Sequence, residues 1–187
     1  MVTVRPAVFL DRDGVLCRPL MRAGRAYAPR RFDDFRLVPN ASRSVQSLKE
    51  HGYLVVVVTN QPDIGNGLVG ADIVEQMHQR LRARVSVDAV LTCPHRPSDD
   101  CDCRKPRPGM LLSAARSHEI DLSRSFMVGD RASDVEAGRR AGCRTVFIDR
   151  RYAEAGPDRA DVTVRSLQGA AAYILLRSLS PGFRAKA

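Results

Sequence analysis

The sequence predicts an α/β fold, a parallel sheet covered by helices. Three observations lead there. Short, β-branched apolar runs recur along the 187 residues, as strands buried on both faces require. Stretches with helical apolar spacing lie between them, the alternation of βα units. Polar residues follow several of the runs directly, and ligand sites of open α/β sheets lie outside the carboxyl ends of their strands.

The first strand is predicted over residues 7–10, followed by Asp11-Arg12-Asp13-Gly14. Residues 17–38 carry Pro19, Gly24, Pro29 and several arginines with little periodicity. They form either a flap over a site or an ordinary surface loop. Asn40 caps a helix that places Ala41, Val45 and Leu48 on one face and stops before Gly52. A strand over 54–59 follows, then a helix over 71–84 with Ile73, Val74, Met77 and Leu81 inward. After a strand at 89–91, Pro108-Gly109 opens a helix through Arg116. A strand at 125–128 leads to a helix with Ser133-Asp134-Val135-Glu136 as capping box, stopping before Gly142. Strands at 145–148 and 162–164 and a helix over 167–179 close the unit. We expect a single domain over 1–180 and a disordered tail over 181–187.

Composition sets outer bounds. Apolar content of 44% suits a soluble globular chain, and no apolar run approaches the length of a bilayer span. The N-terminal apolar piece is interrupted by Arg5-Pro6 and lacks a signal-peptide pattern, so the expected location is the cytoplasm. The net charge of +9, from 30 basic and 21 acidic residues, fits nucleic acid, an anionic small molecule or merely an arginine-rich surface. Aromatics make up 5% and tryptophan is absent, which supplies a base-stacking platform poorly. A nucleic-acid partner is therefore not expected. Five cysteines argue against a disulfide framework, and three of them crowd into residues 93–103.

Four polar pieces fall at predicted strand ends or in the loops beyond. Asp11 and Asp13 form a carboxylate pair, and Gly14 releases the backbone for an irregular turn. Such a pair suits a cation site or covalent catalysis. Thr59-Asn60-Gln61 offers a hydroxyl, amides and backbone N–H groups. Arg104-Lys105-Pro106 follows the third strand, and Gly129-Asp130-Arg131 the fourth, with Asp134 four residues beyond Asp130. Each has a bland reading: a strand-end cap, a turn, a solvated basic pair, a loop start. In order and at strand ends, they form a coherent phosphotransfer set.

Cys93-Pro94-His95 and Cys101-Asp102-Cys103 give C-x-H-x5-C-x-C. Four soft or borderline ligands in eleven residues suit a closed tetrahedral Zn²⁺ site, structural because no position stays open. The alternative is a loop with free thiols and an incidental histidine. His51, His78 and His118 are expected at surface positions, Cys17 and Cys143 as buried or half-buried thiols. Arg139-Arg140 and Arg150-Arg151 read as solvated charge.

Asp11-Arg12-Asp13-Gly14-Val15, Thr59-Asn60, Lys105-Pro106 and Gly129-Asp130 resemble the four motifs of the haloacid-dehalogenase-like (HAD) phosphatase superfamily. The resemblance implies a Rossmann-like sheet, here without a large cap domain. It implies Asp11 as nucleophile forming an aspartyl-phosphate and Asp13 as general acid/base. It implies Mg²⁺ held by Asp11, the backbone carbonyl of Asp13 and Asp130, with Thr59, Asn60, Arg104 and Lys105 toward substrate phosphate. Arg12 is expected to be structural, its side chain pointing elsewhere. Asp134 either ligates the metal or favours its helix dipole. The C-P-H…C-x-C-R-K-P signature resembles the branch of the heptose-bisphosphate 7-phosphatases and histidinol-phosphate phosphatases. Thr59-Asn60-Gln61 and Pro106-x-Pro108-Gly109-Met110-Leu111 look like the heptose form. The short spacer from His95 to Cys101 and the run Gly129-Asp130-Arg131-Ala132-Ser133-Asp134 look closer to the histidinol-phosphate form. Residues 62–67 also depart from the heptose pattern, which has Ser-Gly first and a basic residue near Asn66. The expected partner is a small phosphorylated metabolite, met by a monomer. A reading from another class is a basic, zinc-containing nucleic-acid-binding module.

Overall fold

The alternation seen in the sequence becomes one six-stranded sheet in the computed structural model, which describes residues 4–179. The predicted tail over 181–187 lies outside the described residues. Strands β1 (Ala7–Leu10), β4 (Leu54–Asn60), β5 (Ala89–Cys93), β6 (Phe126–Gly129), β7 (Arg144–Ile148) and β8 (Val162–Val164) lie in the order β5-β4-β1-β6-β7-β8. Every neighbouring pair is parallel. β1 is central, and all four of its residues are fully buried.

Side-chain alternation divides the core between the two faces. Val8, Leu10, Val55 and Val57 point to one side, where they join Val45 and Leu48 of α1 (Ala41–Glu50), Met77 and Leu81 of α3 (Ala71–Arg84), and Ile174 of α6 (Leu167–Ser178). Ala7, Phe9, Val56 and Val58 point to the other, against Met110 and Leu111 of α4 (Gly109–His118) and Ala137 of α5 (Ala132–Ala141). Burying each such valine contributes roughly 1.5–3 kcal/mol, which explains an unbroken valine run on a strand covered on both faces.

Two predicted caps are corrected. Asn40 sits in the left-handed region at φ 60° and makes no side-chain cap bond; Ala41 N–H instead bonds Val38 O at 3.3 Å. The capping box of α5 is centred not on Ser133 but on Arg131, whose N–H donates to Asp134 Oδ2 at 3.0 Å. Asp134 is therefore the N3 residue and is buried. The end at Gly142 holds, at φ 84°.

Residues 17–38 are more ordered than a loop. They contain an antiparallel hairpin, β2 (Leu20–Arg22) and β3 (Arg25–Tyr27). Ala23 and Gly24 turn it at φ 46° and 75°, the positive angles that a two-residue hairpin favours. A short turn, α2 (Pro62–Gly65), follows β4.

Candidate active site

The sheet topology brings the predicted pieces to one edge. The C-terminal ends of β4, β1 and β6 are adjacent, and Asn60 pairs with Cys93 at the end of β5. A cleft of about 570 Å³ opens there, lined by Asp11, Asp13, Asn60, Arg104, Lys105 and Asp134, among others. The hairpin roofs one side with Arg25, Ala26 and Tyr27. It is fastened there by Arg131, which donates to Ala26 O at 2.5 Å and pairs with Glu154 at 2.7 Å. The structure thus favours the flap reading of this segment.

Lys105 is the hub. Its Nζ lies 2.6 Å from Asp11 Oδ1, 2.6 Å from Asp134 Oδ1 and 2.7 Å from Val58 O. Its side chain is 2% exposed. Burial alone would lower its pKa, but Asp11 and Asp134 override burial and raise it, so the ammonium stays charged. Asn60 positions this segment by a reciprocal pair: Nδ2 donates to Lys105 O at 3.0 Å, and Lys105 N–H donates to Oδ1 at 3.1 Å.

Asp11, Asp130 and Asp134 each turn one carboxylate oxygen into a cluster within 4.8 Å, all three buried. One lysine faces three carboxylates. Burial pushes the Asp11 carboxyl up to about 7, against the pull of Lys105 and reinforced by Asp134 and Asp13. Asp130 is raised well above its ordinary value by burial, then by Asp11 and Asp134. Its Oδ1 is buried without a hydrogen-bond partner. A hard divalent cation with oxygen ligands fits this set: it supplies the missing positive charge and occupies the orphaned oxygen. Gly14, at φ 91°, makes the approach possible, because a Cβ there would stand 1.7 Å from Asp130 Oδ2. Asp134 joins the cluster as well as receiving the helix N-terminus.

Asp13 lies beside this cluster with its carboxylate turned aside. Arg12 Nη2 holds Oδ2 at 2.9 Å, Gln61 Nε2 donates to Oδ2 at 2.7 Å, and Cys17 Sγ donates to Oδ1 at 3.0 Å. Burial would raise the Asp13 carboxyl; Arg12 overrides it, with Cys17 and Gln61, and holds it below its usual value. The expectation that Arg12 points elsewhere is therefore corrected: its fully buried guanidinium folds back onto its neighbour. Behind it, Arg12 Nη1 lies 3.0 Å from His78 Nε2. An arginine only donates, so Nε2 accepts. His78 is buried, not at the surface as predicted; His51 and His118 are exposed. Burial, then Arg12, lowers the His78 pKa to about 4.

Thr59 is buried, and its hydroxyl accepts from Gln61 Nε2 at 2.8 Å, so it supports Gln61 rather than lining the cleft. Arg104 lines the cleft and donates to His95 O at 3.3 Å.

The four predicted zinc ligands converge. Cys93 Sγ lies 3.6 Å from Cys101 Sγ and 3.7 Å from His95 Nδ1; Cys103 Sγ lies 3.4 Å from Cys101 Sγ and 3.2 Å from His95 Nδ1. A tetrahedron with Zn–S near 2.3 Å and Zn–N near 2.0–2.1 Å has edges of roughly 3.5–3.8 Å. The donor set and spacing fit zinc, and the last ligand leads directly into Arg104 and Lys105.

Sequence reasoning missed three contributors: His78, Arg150 and Tyr152. Arg150 is not merely solvated, since its Nε donates to Gly14 O at 2.8 Å. Tyr152 donates to Asp130 Oδ2 at 2.7 Å. Both follow β7, so the strand-end logic that found Asp130 would have reached them.

Residues 102–170 match the HAD-hydrolase-like family. The chain is 38% identical over 156 residues to D-glycero-beta-D-manno-heptose-1,7-bisphosphate 7-phosphatase of Pasteurella multocida, covering 78% of this chain and 82% of that protein. It is 36% identical over 149 residues to the Pseudomonas aeruginosa protein of the same name, covering 77% and 81%. Among solved structures, it is similar to the D,D-heptose 1,7-bisphosphate phosphatase of B. bronchiseptica complexed with magnesium and phosphate, with a TM-score of 0.77 and 28% identity over 92% of this chain and 99% of that one. Fold, site geometry and relatives agree: this chain belongs to the HAD-like hydrolases, in the group of the heptose-bisphosphate 7-phosphatases.

Proposed function

We propose that this protein is a Mg²⁺-dependent phosphatase that removes the 7-phosphate of D-glycero-D-manno-heptose 1,7-bisphosphate through an aspartyl-phosphate. The observation that carries this reading is one buried cluster: Asp11, Asp130 and Asp134 converge, Lys105 pairs with Asp11 and Asp134, and Asp11, Asp134 and Lys105 line the cleft. The relatives' shared name supports the substrate. So does the rim: Arg25 and Arg104 line the cleft beyond Lys105 and match a second phosphate.

Asp11, Asp130 and Asp134, with the backbone carbonyl of Asp13, would hold Mg²⁺, which when bound neutralises charge on the phosphoryl oxygens and the nucleophile. Lys105 pulls the Asp11 carboxyl down against burial, which favours the ionised nucleophile, and offers its ammonium to the phosphoryl group. Asp11 attacks phosphorus, and Asp13 protonates the leaving sugar oxygen and then takes the proton of the attacking water. In the free enzyme, Arg12, Gln61 and Cys17 hold Asp13 ionised. An arriving phosphate dianion raises its pKa by like-charge repulsion, so the general acid gains its proton with substrate. Asn60 orients the Lys105 segment, and Thr59 acts through Gln61.

The four-residue cluster around Cys93, His95, Cys101 and Cys103 would hold a structural Zn²⁺ that stiffens the segment delivering Arg104 and Lys105. Its reduced thiols suit the cytoplasm. Some surface arginines are ion-paired, as in Arg30–Asp63 and Arg140–Glu136; the net charge of +9 remains beyond such pairs and suits an anionic substrate. No helix of the described residues is long and apolar enough to cross a membrane. Acting as a monomer is the simplest state for a cleft built from one chain, and sedimentation velocity tests it.

The deciding experiment compares phosphate release from the heptose bisphosphate, histidinol phosphate and a 3′-phosphorylated oligonucleotide, with wild type and Asp11→Asn. The expected result is preference for the heptose bisphosphate and its loss in a folded variant. Near wild-type turnover by Asp11→Asn would overturn the covalent mechanism. A preference for histidinol phosphate would overturn the substrate.

A further inference from the structure

The segment beyond β7 folds back over the site as a strap. Arg150 Nε donates to Gly14 O at 2.8 Å, and Ala153 N–H donates to Gly24 O at 2.9 Å. Glu154 pairs with Arg131 at 2.7 Å. These contacts tie the strap to the nucleophile loop, the hairpin and the start of α5. Between them stands Tyr152, whose hydroxyl donates to Asp130 Oδ2 at 2.7 Å. The mechanism above does not use it.

Asp130 is 3% exposed, so water does little to orient it. Its two oxygens are treated differently by the fold. Oδ2 has the Tyr152 donor and Oδ1 has no partner. A Cβ on Gly14 would fall 1.7 Å from Oδ2 and 2.8 Å from the Tyr152 hydroxyl, so the bare backbone of Gly14 forms one wall of the same small space. A buried carboxylate with one fixed donor has one orientation rather than several, and outer partners of this kind set the geometry of metal ligands.

We propose that Tyr152 is a positioning residue for the divalent cation: its hydroxyl locks the Asp130 carboxylate so that Oδ1 is presented to the ion shared with Asp11. Arg150, Ala153 and Glu154 hold the strap in register, and the phenol delivers the bond. This inference rests on the cation reading proposed above for Asp11, Asp130 and Asp134.

The test measures Mn²⁺ binding by the electron paramagnetic resonance of free Mn²⁺, with metal-stripped wild type and Tyr152→Phe, which keeps the ring. The variant is expected to bind Mn²⁺ about 10–100-fold more weakly. Its phosphate release should fall at limiting Mg²⁺ and recover at high Mg²⁺, with KM for the sugar phosphate at saturating Mg²⁺ changed by less than about twofold. A purely structural role would lower stability without this metal-specific recovery. Mn²⁺ affinity of Tyr152→Phe within about threefold of wild type overturns the inference, as does a loss of activity that Mg²⁺ does not restore.

A second readout needs no variant. The chain has four tyrosines and no tryptophan, so its emission reports tyrosine. Mg²⁺ added to the wild-type protein should change that emission over the range in which it displaces Mn²⁺. Emission flat through that range overturns the inference even if Tyr152→Phe does not fold. Wild type that takes up no Mn²⁺ at all overturns the cation reading itself, and is told apart from an equal affinity of wild type and variant.

Discussion

Replacing Lys105 with methionine tests the electrostatic core of the site. The methionine fills most of the volume but leaves Asp11 and Asp134 without the ammonium that sits 2.6 Å from each. Removing one partner of a buried pair costs about 3–5 kcal/mol. At about 2–4 °C per kcal/mol for a domain of this size, Lys105→Met should melt roughly 6–20 °C below wild type in EDTA at pH 8. The sign of its pH dependence follows from Asp11. Burial already raises that carboxyl to about 7, with Lys105 pulling the other way; without the lysine it rises further. A carboxyl whose folded pKa exceeds its unfolded value destabilises the fold as pH rises. The gap to wild type should therefore narrow as pH falls from 8 through about 7, where wild-type Asp11 also takes up its proton. Mg²⁺ should restore part of the loss, about 2.7 kcal/mol at a hundredfold excess over Kd, while phosphate release stays absent. Thermal unfolding followed by circular dichroism, with and without Mg²⁺, reads all of this. Equal melting of variant and wild type in EDTA at pH 8 would refute the charge balance argued here.

Three further outcomes are expected. His78, lowered to about 4 by burial and by Arg12, contributes stability that is present above its unfolded pKa near 6.5 and lost as pH falls toward 4. The loss is on the order of 3 kcal/mol and should be absent from the corresponding melting profile of His78→Gln. Gly14→Ala, strained at φ 91° and aimed at Asp130, should lose about 1–3 kcal/mol of stability and Mg²⁺-dependent phosphate release; wild-type Mg²⁺ affinity by calorimetry would contradict this. Elemental analysis should find one equivalent of zinc in wild type and none in Cys103→Ser, whose kcat/KM should drop about tenfold or more, because Arg104 and Lys105 follow Cys103 directly.

The sheet and the principal site residues were legible because both follow periodic or positional rules. Four consecutive valines between Leu54 and Thr59 read as a covered strand, and the polar residues just beyond each strand were found by position. The convergence of Cys93, His95, Cys101 and Cys103 was legible from spacing alone. Other features depend on tertiary context. Asn40 has the composition of a cap, yet its backbone adopts a left-handed turn. His78 lies on a helix beside the buried positions Val74, Met77 and Leu81, and its partner there is Arg12, in the loop after β1. Arg150 and Tyr152 lie within reach of the strand-end rule beyond β7, but their partners Gly14 and Asp130 are distant in the chain and only the tertiary fold pairs them. Arg12 shows the same limit from close range: adjacency to Asp13 suggested divergence, and the long side chain curled back.

The strand order has a consequence for folding. Lys105 and Asp11 lie 94 residues apart, and they meet because β5, which leads to Lys105, pairs with β4, and β4 pairs with β1. A nascent or partly assembled chain therefore has no preformed pocket for a divalent ion, however acidic its individual loops. A divalent ion that binds only the assembled cluster would favour the finished molecule over its precursors, and its uptake would report completed sheet assembly.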